Sequence, residues 1–232
     1  MLFRSAYLGG LVGLSWSEHE ISECRVRARL AAESVGDVYM GGIVGSTNGP
    51  IRNCSFEGEF HRCVKPGVEF ASYFEFSLGS IAAMAGIVQD CQARFSVSFS
   101  GEMGVMGIGG IAGGAVSLEN CLAEWTVSED HPVNIGGIVH MARESVKNCV
   151  FSGDVAVGGG GNIGGILGGS EDYNLFISNC FVRGRLSGGA TIGGVAGVNA
   201  GEIRDCSAVC EILSGAGATA GALRRPDRKS VV

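Results

Sequence analysis

Nine cysteines, four histidines and 23 acidic side chains are the groups in this 232-residue chain with the chemistry to bind a metal, attack a bond or move a proton. Seven of the cysteines, Cys24, Cys54, Cys91, Cys121, Cys149, Cys180 and Cys206, follow one another at intervals of 26 to 37 residues. A recurrence at that period marks a stacked repeat rather than a ligand cluster. Zinc sites need C-x-x-C pairs or grouped Cys and His, and the sequence has neither. One inward cysteine per copy instead predicts a ladder of reduced core thiols, because a free cysteine packs as a small hydrophobe. Cys63 and Cys210 stand outside the series.

The remaining candidates are weaker. His19-Glu20-Ile21-Ser22-Glu23 matches the first half of a zinc-protease motif, but that motif needs a second His at the position Glu23 holds, on a helix. His61, His131 and His140 fall in separate copies or loops. Gly158 to Gly165 satisfies a G-x-G-x-x-G search, but no helix-forming segment or Walker lysine follows to complete a phosphate cradle. Glu57, Glu59, Glu124, Asp154 and Glu211 could supply the paired carboxylates of a glycosidase, yet most have an arginine in the matching slot of a nearby copy. An ion-pair face is the expectation. No catalytic residue, metal or cofactor is assigned.

The elements that position these groups are legible around each cysteine. From Cys24 onward Val26, Ala28 and Leu30 alternate with Arg25, Arg27 and Arg29, and from Cys91 Ala93, Phe95, Val97 and Phe99 alternate with polar residues. That is the two-residue period of a half-buried strand. An aliphatic residue stands three positions before each cysteine, and Glu23, Asn53, Asp90, Asn120, Asn148, Asn179 or Asp205 stands one before it, as at a turn. Upstream of each corner lies another short strand ending in two small residues, as in Met40-Gly41-Gly42-Ile43-Val44-Gly45. Gly79-Ser80-Ile81-Ala82-Ala83 and Gly136-Gly137-Ile138-Val139-His140 are looser copies, and a frayed one begins near Ala220-Gly221. Stacking in parallel would bring Arg27, Glu57, Arg94 and Glu124 into one row of alternating sign, as cross-strand pairing prefers. The expected fold is all-β, a parallel β-helix (β-solenoid) of about seven coils, each buried only by the next.

Composition agrees. Hydrophobic residues make up 46% of the chain despite 40 glycines, so a core is available. A net charge of −6 argues against a nucleic-acid partner. No apolar run reaches the roughly 20 residues of a membrane span. Residues 1–5 and 227–232 read as translated sequencing-adapter arms, which leaves 6–226 as one solenoid domain of a larger protein.

Gly10-Leu11-Val12-Gly13 followed by an Ile-x-Asn-Cys corner, clearest at Ile51-Arg52-Asn53-Cys54, resembles the GLUG-motif repeat family from Leu8 to about Ile212. The resemblance implies a non-catalytic β-solenoid segment of a secreted or cell-surface protein. Bacterial adhesins and immunoglobulin A peptidases of the metalloprotease class carry such repeats. The segment would act as a rigid spacer or ligand-contacting rod, its partners being a host or matrix protein or glycan and neighbouring coils of the same parent chain. The alternatives are part of a carbohydrate-active β-helix enzyme, or the stalk of a surface metalloprotease whose catalytic domain is missing. Candidate contact residues lie where the repeat is interrupted. They are Phe70, Tyr73, Phe74 and Phe76 in the insertion over 61–76, and Tyr173 in a smaller break over 170–176.

Overall fold

A computed structural model describes residues 5–33, 37–63, 76–100, 106–129, 133–158, 160–214 and 219–221. The end segments 1–4 and 222–232 lie outside that set, as do Phe70, Tyr73 and Phe74. The fold is an all-β parallel solenoid of about six coils, about 30 residues each. Seven cysteine corners bound six complete turns, which accounts for the difference from the expected seven.

Three sheets run the length of the rod, with eight, eleven and seven strands. Each coil gives a short strand to the first sheet, such as Val38–Gly41, and turns at the paired small residues into the second, as at Val44–Thr47. It then turns at the corner before the cysteine into a long strand of the third, such as Ser55–Cys63. Leu8, Met40, Leu78, Ile108, Ile135, Ile163, Ile192 and Ala220 stand in one unbroken row of the first sheet, so the frayed copy near Ala220 does begin another turn.

The corner explains its own sequence. Glu23, Asn53, Asp90, Asn120, Asn148, Asn179 and Asp205 all have φ between 51° and 57°. Most L-residues pay about 1–2 kcal/mol for that left-handed conformation, and Asn and Asp are exceptions because their short polar side chains bond locally. Some also bond along the rod: Asn120 donates to Asp90 Oδ1 at 3.0 Å and Asn148 to Asn120 Oδ1 at 3.0 Å. Glu23 lacks the short side chain that suits this backbone. Glu23→Asn is therefore expected to raise stability by up to about 1 kcal/mol, read as a higher urea midpoint; an unchanged midpoint would contradict this explanation of the corner.

The two small residues are required by space. A Cβ on the first would fall on the carbonyl oxygen three residues on, as Gly41 on Val44 and Gly136 on Val139. A Cβ on the second would meet the corresponding carbonyl of the next coil, as Gly42 on Ser80 and Gly137 on Gly165. Ser80, which takes the second position in its coil, turns the close approach into a hydrogen bond from Oγ to the Gly110 carbonyl.

The core is continuous from coil to coil. Aliphatic stacks fill most of it, and a chain of rings crosses it: Phe56 and Phe60 at 4.9 Å, Phe60 and Phe95 at 5.5 Å, Phe95 and Trp125 at 5.1 Å, Trp125 and Phe151 at 6.1 Å.

Candidate functional site

The outer face of the third sheet holds the charged residues that carry the strongest chemical signal. Strand register puts Arg27 opposite Glu57, Glu57 opposite Arg94 and Arg94 opposite Glu124. The pairs close as expected: Arg27 to Glu57 at 3.6 Å, Arg29 to Glu59 at 3.7 Å, Arg94 Nε to Glu124 at 2.8 Å and Arg185 Nε to Glu211 at 2.8 Å. Asp154 accepts a hydrogen bond from the Arg185 backbone N–H at 3.0 Å. The carboxylates are thus neutralised by the adjacent coil. Exposed pairs of this kind contribute at most about 1 kcal/mol each.

A second polar row, on the outside of the second sheet, was not anticipated from the sequence. Glu20 pairs with Arg52, whose Nε donates to Gln89 Oε1 at 2.8 Å, and Gln89 donates to Glu119 Oε2 at 3.1 Å. The Glu of the partial zinc-protease motif is therefore an inter-coil ion-pair partner at a strand corner. The signal was available two residues before each cysteine, where Arg52, Gln89 and Glu119 recur in phase. Among the described residues, no group of three or more His, Cys, Asp or Glu could hold a metal, and no helix is long and apolar enough to cross a membrane.

The repeat cysteines form the inward ladder. Cys54, Cys91, Cys121, Cys149 and Cys180 are buried, with Cys24 and Cys206 half-buried at the two ends. Each Sγ lies 3.1–3.3 Å from the carbonyl oxygen two residues before it. Contact with neighbouring thiols, then burial, raises Cys91, Cys149 and Cys206 above the ordinary thiol range. Hydrogen bonding from Cys91 lowers Cys54, and from Cys149 lowers Cys180. A reactive thiolate needs a low pKa together with exposure, and these two cysteines are 1% and 2% exposed.

His140 replaces the last glycine of its motif, and the preceding coil makes room for it. Its ring lies over Gly107, where a Cβ would collide with Nδ1. Other coils carry Tyr7, Tyr39, Ser77, Asn134, Asn162 or Thr191 at that outward position of the first sheet. Ser77 and Gly113 show the reverse arrangement, the serine hydroxyl filling the space over the glycine. In both pairs the glycine leaves room for the side chain that faces it.

Burial lowers the His140 pKa from 6.5 to about 4. Above pH 6.5 neither the folded nor the unfolded chain protonates this ring. As pH falls from 6.5 to 4 the unfolded chain takes up a proton that the folded one refuses, so the stability present above that window is lost through it, by up to roughly 3 kcal/mol. His140→Gly is expected to reduce the fall in melting temperature between pH 7 and pH 4.5. Gly107→Asn should destabilise the wild type and be largely tolerated alongside His140→Gly, a coupling read by a double-mutant cycle.

The interruptions divide. Tyr173 is 84% exposed at the tip of a turn held by Asn174 N–H to Asp172 Oδ1 at 2.9 Å, and Leu175 beside it plugs into the core. Phe76 is not a surface residue: it is 5% exposed, begins a strand of the first sheet and packs edge-on against Phe99 at 5.9 Å. The Arg62 guanidinium, itself buried, covers it at 4.9 Å. An aromatic next to an insertion reads as a loop residue until the paired strand is seen, so the sequence misplaced Phe76 and offered no sign of buried Arg62. The structure thus leaves Tyr173 as a surface candidate, with Phe70, Tyr73 and Phe74 outside the described residues.

Comparison with known protein families, with curated proteins and with solved structures finds no match.

Proposed function

We propose that this chain is a non-catalytic repeat segment of a secreted or cell-surface protein, a rigid spacer or ligand-contacting rod of the GLUG-repeat kind. The observation that carries this reading is the pairing of Glu57, Glu59, Glu124 and Glu211 with an arginine of an adjacent coil. A glycosidase keeps one carboxyl protonated and leaves the other open to water or sugar, whereas these carboxylates sit against cations on a solvated face. The motif residues are used up by the corners, the tight turns and the core. What remains for recognition is the outer surface, where Tyr173 projects.

The test is incubation with a panel of polysaccharides, measuring release of reducing ends. The rod reading expects none above blank. Release abolished by Glu57→Gln or Glu124→Gln would replace it with a carbohydrate-active enzyme.

A further inference from the structure

The face that carries the ion pairs also holds a set of polar groups that the pairing leaves unused. A trough of about 480 Å³ crosses four coils of the third sheet. Two rows of side chains line it. The first, Arg27, Glu57, Arg94 and Glu124, is internally neutralised. The second runs beside it in strict register as Arg25, Ser55 and Gln92 and ends on Leu122 in the fourth coil. Arg25 is exposed, and among the described residues no carboxylate pairs with it and neither the Ser55 hydroxyl nor the Gln92 amide makes a side-chain hydrogen bond.

We propose that this trough binds an acidic glycan, one uronic-acid carboxylate on Arg25 and the adjoining sugar hydroxyls on Ser55 and Gln92. A guanidinium presents a planar fork of donors that matches a carboxylate bidentately. Three arginines against two glutamates leave the trough one positive charge, enough for a single carboxylate. The chain's net charge of −6 disfavours densely charged polyanions such as nucleic acid. The row follows the rod axis with one side chain per coil, about 4.8 Å apart. Two coils therefore span roughly one disaccharide of an extended glycan, and a sugar chain laid along the axis meets a polar group at each half. A peptide adds to a sheet through strand-edge backbone groups; along the trough the Ser55–Cys63 and Gln92–Ser100 strands already bond coils on both sides, and among the described residues the open edge here is confined to the end strand Arg25–Glu33.

This inference rests on the non-catalytic reading in that the glycan is held and not cut. The experiment is calorimetric titration of the full chain with a tetrasaccharide of alternating glucuronic acid and N-acetylglucosamine, with its carboxyl-reduced form, and with free glucuronate. The expected result is one site per chain, weakened about tenfold or more by Arg25→Gln or by carboxyl reduction, weakened by salt, and unchanged by Arg185→Gln on the same sheet. Arg25 is outward-facing, so the melting temperature of Arg25→Gln should match the wild type. No saturable binding, equal affinity in Arg25→Gln, or equal affinity for free glucuronate would each overturn the proposal. Mass spectrometry of the same samples separates the two ideas: a shortened tetrasaccharide would defeat the non-catalytic reading while leaving an Arg25-dependent site standing.

Discussion

Replacing Gly136 with alanine should cost at least about 3 kcal/mol, more than is usual for adding one methyl group. The backbone conformation does not demand glycine there, since Gly136 is not among the residues with positive φ. Space does. The new Cβ would fall on the Val139 carbonyl oxygen and 2.7 Å from the Gly168 amide nitrogen of the following coil. Neither is the movable end of a side chain. Relief would require opening the turn between the first and second sheets, and with it the amide–carbonyl bonds from Gly137 to Gly164 at 2.8 Å and from Gly110 to Gly136 at 3.1 Å. Gly160→Ala is the control: no atom lies within 4 Å of its Cβ position, so stability should stay within about 0.5 kcal/mol. Melting temperatures of the two variants give the comparison. Equal values would mean that these turns are looser than the structure holds.

Trp125→Ala should cost roughly 3–5 kcal/mol. Trp125 is 3% exposed, stacks nearly parallel on Phe95, meets Phe151 edge-on and donates from Nε1 to the Gly137 carbonyl at 3.0 Å. The truncation leaves a cavity between coils and an unpaired buried carbonyl, and each adds to the loss. Trp125→Phe keeps much of the stack and gives up the hydrogen bond, for a cost nearer 1–2 kcal/mol. Urea unfolding followed by circular dichroism should rank wild type, Phe and Ala in that order; an Ala variant as stable as the Phe variant would mean that the ring spine adds little.

The repeat made the coil readable because each coil writes the same constraints again. A cysteine preceded by Asn or Asp repeats because the corner is left-handed in all seven copies. The charge rows were readable because parallel register turns a sequence period into a spatial neighbour. The facing pairs on the first sheet are not readable in this way, because they link two variable positions in different coils. His140 over Gly107 is visible only when the two are superimposed, since each alone reads as an isolated departure. Phe76 was misread for a related reason, because aromatic content at an insertion gives no sign of where the loop ends and the paired strand resumes. Arg25 looks like any of three arginines in its strand until register shows that Arg27 and Arg29 face glutamates and it faces Ser55.

The central claim is that the repeated glycine turns and cysteine corners are architecture, each bonded to the next coil, and not loops open to a ligand. Residue-resolved amide hydrogen exchange tests this most directly. Protection at the turn amides of Gly110, Ile111 and Gly137, and at the corner amides of Asn120 and Asn148, should match that of the neighbouring strands and fade only toward the two ends of the rod. Fast exchange at these turns and corners, with protection confined to the long strands, would contradict it.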